Sequence, residues 1–303
     1  MKELTDTIHT PVLLHEVLEV CAPQAGACVI DATANGGGYT FALWERVAPS
    51  GCVIAIDKDR DLVTALERRA RAEHARIVPI CGSYRDLAAI AHAHACGPVR
   101  GIVFDLGYSS HHIERSGRGF SFQKDEPLLM RYETNSDLGD GLTAYDVVNQ
   151  SSEYELADII WRFGEERRSR AIARAVCAAR KKQPIRTTGE LAAVVRSAYP
   201  ARHMRIHPAT RTFQALRIFV NEELTELEAA LPEALRILAP GGVCAVVSFH
   251  SLEDRIVKQC FKAAAQEHRV ALATKKPMVP SRAELHENPR ARSAKLRAVI
   301  KNL

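Results

Sequence analysis

The chain has 303 residues, 47% hydrophobic and 25% charged, with 17 glycines and 14 prolines; this is a globular composition, which excludes disordered and collagenous chains and is long enough for a sizeable core. Eight scattered cysteines with no Cys-x-x-Cys pair exclude zinc-finger spacing and read as reduced thiols. A formal charge of +5, an acidic N-terminus without a secretory apolar core, and no membrane-length apolar run predict a soluble, cytoplasmic protein with no membrane partner.

The first hundred residues alternate apolar runs with helical stretches. Cys28-Val-Ile-Asp31 predicts a buried strand ending in an acid, followed by a glycine cluster and a helix over Tyr39–Val47. Gly51–Asp57 repeats that logic, and a helix follows over about Asp61–Ala72. Ile77–Cys81 reads as a third strand, with Pro79 arguing against a central place. A helix over Leu87–Ala95 and a fourth strand, Gly101–Asp105, complete an α/β pattern with a mostly parallel sheet covered on both faces.

Residues 108–142 are polar and glycine-rich, too long for a plain connector. Three helices come next: one from the capping box Ser152-Glu-Tyr-Glu155 to near Gly164, one from Glu165 to Lys182, and one from Thr187-Thr-Gly-Glu190 to before Pro200. With no strand among them, 113–209 reads as a helical domain inserted into an α/β domain made of 1–112 and 210–303. The α/β pattern resumes with one long helix from about Phe213 to Leu238, capped by Pro240-Gly-Gly242, and a fifth strand over Val243–Phe249. A helix over Leu252–Ala265, an extended loop over 274–294 and a last edge strand, Leu296–Ile300, end the chain.

The segment Asp31-Ala-Thr-Ala-Asn-Gly-Gly-Gly-Tyr39 joins the first strand to the first helix. Glycines there let the backbone turn sharply and approach a ligand, with a helix N-terminus behind. The spacing fails the G-x-G-x-x-G fingerprint at its third glycine, which disfavours a nicotinamide dinucleotide. Asp57, at the end of the second strand, is placed to accept both hydroxyls of a ribose, a feature shared by nicotinamide and S-adenosylmethionine sites. Asp105, at the end of the fourth strand, lies at the sheet edge where ligands bind in open α/β folds. For methyl transfer to an amine, its carboxylate would take one N–H and direct the nitrogen lone pair; holding the cofactor amino group, or capping the strand end, are the other readings. His92 and His94 fall on different helix faces, and Pro208 argues against a helical pair from His203 and His207, so no metal site is expected. Phe120 and Phe122 are base-stacking or packing residues.

Charge is unevenly spread. Arg162–Arg217 holds 14 Lys/Arg against 3 acids, a local +11, and Arg255–Leu303 holds 12 against 3, a local +9, so the rest sums to −15. Two basic segments on an acidic body point to a polyanion partner such as nucleic acid.

Four segments then carry a likeness: His9-Thr-Pro-Val-Leu-Leu-His-Glu-Val17, Arg118-Gly-Phe-Ser-Phe122, His207-Pro-Ala-Thr-Arg-Thr-Phe-Gln-Ala-Leu-Arg217 and Ser248-Phe-His-Ser-Leu-Glu-Asp-Arg-Ile-Val-Lys258, with Asn288-Pro-Arg-Ala-Arg-Ser293 as a fifth. They resemble, in order and nearly end to end, the bacterial 16S rRNA (cytosine-N4)-methyltransferase family, RsmH or MraW. The resemblance implies a class I S-adenosylmethionine-dependent methyltransferase fold, Rossmann-like, with an inserted all-helical domain that recognises RNA. It implies methylation of the exocyclic N4 of a cytosine in the decoding region of 16S rRNA, within the small ribosomal subunit, with S-adenosyl-L-methionine as donor; pairing into a homodimer is left open. Carried over by position, the cofactor contacts fall on Gly37, Gly38, Tyr39, Asp57, Tyr84, Asp105 and His112. Asp105 and His250 are the catalytic candidates, His250 being either in the target-base pocket or structural. Glu253 and Asp254 read as caps of the following helix, and Arg211 or Arg217 as a phosphate contact. The chain departs from the family at Asn35 and Tyr39 in the loop, at His112 where Gln is usual, and over Pro127–Glu133. An enzyme acting on DNA or a protein side chain, and a non-catalytic RNA-binding factor, are the alternatives.

Overall fold

The computed structural model describes residues 11–107, 109–133, 141–200 and 207–303. In chain order the elements are α1 (Leu14–Cys21), β1 (Cys28–Asp31), α2 (Gly38–Val47), β2 (Cys52–Asp57), α3 (Arg60–Ala72), β3 (Ile77–Cys81), α4 (Leu87–His94), β4 (Val99–Asp105), α5 (Ser110–Glu114), α6 (Ala144–Gln150), α7 (Glu153–Gly164), α8 (Ser169–Arg180), α9 (Thr188–Ser197), α10 (Thr210–Val220), α11 (Glu223–Ile237), β5 (Leu238–Ser248), α12 (Ser251–Gln266), β6 (Val270–Leu272), α13 (Arg282–Glu287) and β7 (Lys295–Lys301). They form two compact units, one from the segments up to Gly107 and from Leu224 onward, the other from the residues between.

In the first unit the seven strands run in the order β3-β2-β1-β4-β5-β7-β6, parallel except that β7 is antiparallel to both β5 and β6. Alternate side chains on a strand face opposite ways, and here both sets are apolar. Ile30, Ile54, Ile56, Ile102, Phe104 and Val246 pack under α4, α11 and α12 through Leu87, Leu231 and Phe261. Val29, Val53, Val103, Ala245 and Val247 pack under α1, α2 and α3 through Val17, Leu43 and Leu66. That is why these strands read as unbroken apolar runs. Each fully buried Ile, Val or Phe contributes roughly 1.5–3 kcal/mol. Pro79 is tolerated because β3 is the outer strand of the sheet. The arrangement is the class I methyltransferase fold that the resemblance implies.

The second unit is helical around a separate core of Leu156, Ile160, Ile172, Val176, Leu191, Val195, Phe213 and Leu216. The capping boxes of Ser152 with Glu155 and of Thr187 with Glu190 start α7 and α9 as predicted, and a third, Thr143 with Asp146, starts α6.

Several expectations are corrected. The units divide after Gly107 and after Glu223, rather than at 112 and 209, because α10 buries Phe213, Ala215 and Leu216 in the helical core. The single helix expected over Phe213–Leu238 is two, broken where Glu222 takes a left-handed φ of 52°; the Asn221 amide donates to the carbonyls of Arg217 and Met130 there. Pro240-Gly-Gly242 does not cap a helix but bulges out of β5, whose ladder to β4 steps from the pair Val99–Leu238 to Gly101–Val243. β7 is not an edge strand, because the three-residue β6 pairs outside it. The 274–294 loop contains α13, where Glu284 accepts from the Leu13 amide at 2.7 Å. The cysteines are not all separate thiols: Cys52 and Cys96 are joined, 44 residues apart.

Candidate active site

Parallel strands end at one edge of a sheet, so β1, β2 and β4 bring Asp31, Asp57 and Asp105 to the same rim. The β1–α2 loop is strapped across that rim, Ala32 N–H donating to Val103 O and Ala34 N–H to Ile56 O, both at 2.8 Å. Gly37 has φ 83°, and a Cβ there would stand 2.9 Å from Leu66 Cδ1 and 3.2 Å from the Phe41 ring. Both the dihedral and the close approach require glycine. The first intrahelical bond of α2 runs from Phe41 N–H to Gly37 O at 2.9 Å, so the Gly38 and Tyr39 N–H groups precede it, at a helix N-terminus suited to negative charge.

Asn35 also lies in the left-handed region, at φ 48°, which Asn tolerates better than most residues. Its N–H donates to Asp57 Oδ2 at 2.7 Å, while Asp59 N–H donates to Asp57 Oδ1 at 2.9 Å. Each carboxylate oxygen thus keeps one lone pair for a ligand. Burial, reinforced by the charges of Asp59 and Asp31 and opposed by these hydrogen bonds, pushes the Asp57 pKa up to about 7. Gly82 N–H donates to Asp57 O at 2.9 Å, tying the end of β3 to the same rim. Two residues on stands Tyr84, half-buried, its ring edge-on to Phe104 with centroids 5.7 Å apart.

Asp105 has an unsatisfied oxygen. Its main-chain N–H donates to Thr33 Oγ1 at 2.6 Å, but its Oδ1 is buried with no hydrogen-bond partner. Burial first, then the charges of Asp31 and Glu253, hold its pKa well above the carboxylate range. An orphaned buried carboxylate oxygen costs about 1–3 kcal/mol or more, a cost that a donating ligand would remove.

Sequence reasoning passed over two residues of this rim. Asp31 accepts from Thr40 Oγ1 at 2.6 Å and Thr33 N–H at 3.2 Å, and burial pushes its pKa up to about 6. Thr33 braces Asp105. The available signal was the acid that ends three of the first four strands.

Tyr39 is turned away. Its side chain is buried and its hydroxyl donates to the Val12 carbonyl, so only its main chain faces the loop. His250 is the N-cap of α12. Its Nδ1 accepts from Glu253 N–H at 3.4 Å, its Nε2 lies 3.1 Å from Glu253 Oε1, and Glu253 Oε2 accepts from the Phe249 and His250 amides. Glu253 therefore caps the helix, as its position suggested, whereas Asp254 is bound by Lys295 and Arg297 at 2.9 and 2.7 Å.

His112 belongs to the second unit. It is buried, its Nδ1 engages the Ser109 N–H and hydroxyl in the cap of α5, and its ring lies 5.2 Å from Phe120 and 5.0 Å from Tyr132. Phe120 stacks on Tyr132 and Phe122 on His207, centroids 5.3 and 4.4 Å apart, so both phenylalanines pack within the unit. His203 lies outside the described residues. Arg217 is buried in a bidentate pair with Glu223, both bonds 2.8 Å, which leaves Arg211, exposed and donating to Glu165 O at 3.0 Å, as the arginine of that motif open to solvent.

The chain matches the model of the MraW methylase family over residues 6–302. Ribosomal RNA small subunit methyltransferase H of Thermomicrobium roseum is 45% identical over 313 residues, 98% of this chain and 95% of that protein. The protein of the same description from Methylobacterium sp. (strain 4-46) is 50% identical over 308 residues, covering 96% and 90%. Among solved structures, an rRNA methylase from Streptococcus thermophilus aligns over 98% of this chain and 99% of its own, at 11% identity and a TM-score of 0.47.

Proposed function

Because the chain belongs to the MraW methylase family, we propose that it is a small-subunit ribosomal RNA methyltransferase that methylates the exocyclic N4 of a cytosine in the decoding region of 16S rRNA, with S-adenosyl-L-methionine as donor. The observation that carries this reading is the partnerless Oδ1 of Asp105 at the rim of the parallel strands. The rim fits an adenosyl sulfonium: Asp57 keeps acceptor capacity for two ribose hydroxyls, Tyr84 offers an apolar wall for adenine, and Gly37, with its left-handed φ, lets the loop turn into α2. The main-chain N–H groups of Gly38 and Tyr39 suit the carboxylate of the methionine part. When bound, this donor supplies an electrophilic methyl on a sulfonium that is already a good leaving group.

The protein's own contribution is positional. Asp105 Oδ1 accepts an N–H, either from the cofactor amino group or from the target amine; in the second case the nitrogen lone pair is turned toward the methyl. The capping box with Glu253 fixes the His250 ring, and its catalytic role would be to hold the base rather than to move a proton. A cytosine must leave its stack to reach such a rim.

Within the second unit, Arg167, Arg170, Arg174, Lys181 and Lys182 are exposed. We assign them the phosphate contacts that position the RNA. The same reading places the protein in the cytoplasm, acting on the small subunit; among the described residues no helix is long and apolar enough to cross a membrane. Nucleoside mass spectrometry of 16S rRNA, from cells with and without the gene, tests the proposal. Loss of N4-methylcytidine at one decoding-region site is expected, and an unchanged spectrum would sink it.

A further inference from the structure

The three strands that end in Asp31, Asp57 and Asp105 begin beside three cysteines. Cys28 opens β1, Cys52 opens β2, and Cys96 precedes β4. Cys28 and Cys52 are register partners across adjacent strands, and β1 also pairs with β4. The parallel sheet therefore gathers three sulfurs at the edge opposite the carboxylates, all within 4.8 Å of one another. Along β2 alone, five steps of roughly 3.3 Å separate the two ends by about 16 Å.

Cys52 and Cys96 are joined, their Cα atoms 6.7 Å apart. Cys28 Sγ lies 3.4 Å from Cys52 Sγ, which is sulfur–sulfur contact. A covalent staple needs two sulfurs, and here a third touches the bond. That third sulfur also accepts from the main-chain N–H groups of Cys96 and Gly97, which favour its thiolate and partly offset the burial that pushes its pKa up. Access is graded: Cys28 and Cys52 are 2% and 3% exposed, and Cys96 is exposed. Solvent reagents meet Cys96 first.

We propose that Cys28, Cys52 and Cys96 form a thiol–disulfide exchange site, at which Cys96 reacts with disulfides of low-molecular-weight thiols and the oxidised bond is passed inward to Cys28 and Cys52. In the first step the Cys96 thiolate attacks the small disulfide, forming a mixed disulfide and releasing one small thiol. Cys52 attacks Cys96 Sγ next; the Cys52–Cys96 bond forms and the second small thiol leaves with the electron pair and a proton. Cys28, as thiolate, then attacks Cys52 Sγ. The Cys28–Cys52 bond forms, the Cys52–Cys96 bond breaks, and Cys96 Sγ leaves with the electron pair and takes up the proton that Cys28 gave up. Two protein thiols are oxidised and one small disulfide is reduced to two thiols.

The test uses the reduced full-length chain in a Cys81→Ser background, which removes the exposed cysteine of β3, with oxidised glutathione as probe. Acid quenching and disulfide mapping by mass spectrometry should find both the Cys52–Cys96 and the Cys28–Cys52 linkage, with no lasting glutathionyl adduct. Cys52→Ser removes the central sulfur and should retain one glutathionyl group on Cys96 or resolve it to Cys28–Cys96; Cys28→Ser should form only Cys52–Cys96. A wild-type map that contains Cys52–Cys96 and never Cys28–Cys52 would overturn the relay. So would Cys52→Ser that carries neither an adduct at Cys96 nor a Cys28–Cys96 linkage. If Cys52→Ser does not fold, the wild-type and Cys28→Ser maps decide.

Discussion

Asp57 and Asp105 show how one residue type takes different tasks from its surroundings. Both are strand-end carboxylates, but Asp57 already accepts two backbone N–H groups whereas Asp105 Oδ1 accepts none. Asp57→Ala should weaken S-adenosylmethionine binding by about 1–3 kcal/mol, the range for losing a charged acceptor, measured by titration calorimetry. Its pKa near 7 makes the wild-type affinity rise between pH 6 and pH 8, as the carboxylate ionises, and the alanine variant should lose that dependence. The sign for stability is opposite. A buried acid with a raised pKa keeps its proton in the native state after the unfolded chain has lost it. The ligand-free protein should therefore lose stability as pH climbs from about 4 to about 7, and Asp57→Asn should flatten that slope of Tm against pH. Asp105→Ala, which removes the acceptor, should abolish turnover while far-UV circular dichroism stays unchanged; retained turnover would show that the orphaned oxygen is idle.

At the scale of elements, the break between α10 and α11 is held by polar groups that a helical periodicity does not register. Asn221 closes the end of α10, and Arg217 reaches across the break to Glu223, whose Oε1 also accepts from Tyr132 Oη at 2.9 Å. Arg217→Met should cost about 3–5 kcal/mol by leaving a buried charge uncompensated, and the double variant with Glu223→Met should recover much of that loss. Denaturant midpoints of the single and double variants measure the difference. The apolar positions of both halves continue one helical stripe, so the sequence reads as a single helix, and only the left-handed Glu222 separates them.

For the molecule as a whole, charge and fold divide the work between the units. The first unit carries the acid-ended strands; the second carries most of the local +11 over Arg162–Arg217, although Arg217 itself is neutralised inside. Replacing exposed Arg167, Arg170, Arg174, Lys181 and Lys182 by Glu should lower affinity for small-subunit RNA and flatten the dependence of log K on log salt. Filter binding across a salt series checks this, and an unchanged slope would remove the second unit as the phosphate surface.

Strands β1 to β5 and β7, in their order of appearance, and the acid that ends β1, β2 and β4 were legible in the sequence, because strands buried on both faces are forced into unbroken apolar runs; the three-residue β6 was not. The capping boxes of α7 and α9 were legible as well, since a cap is written in four consecutive residues. What a side chain touches across the fold was not. That Tyr39 turns its hydroxyl to Val12, that β6 pairs outside β7, and that Cys28, Cys52 and Cys96 converge all depend on strand order and register. Those follow from packing between segments far apart in the chain, and no local pattern encodes that packing.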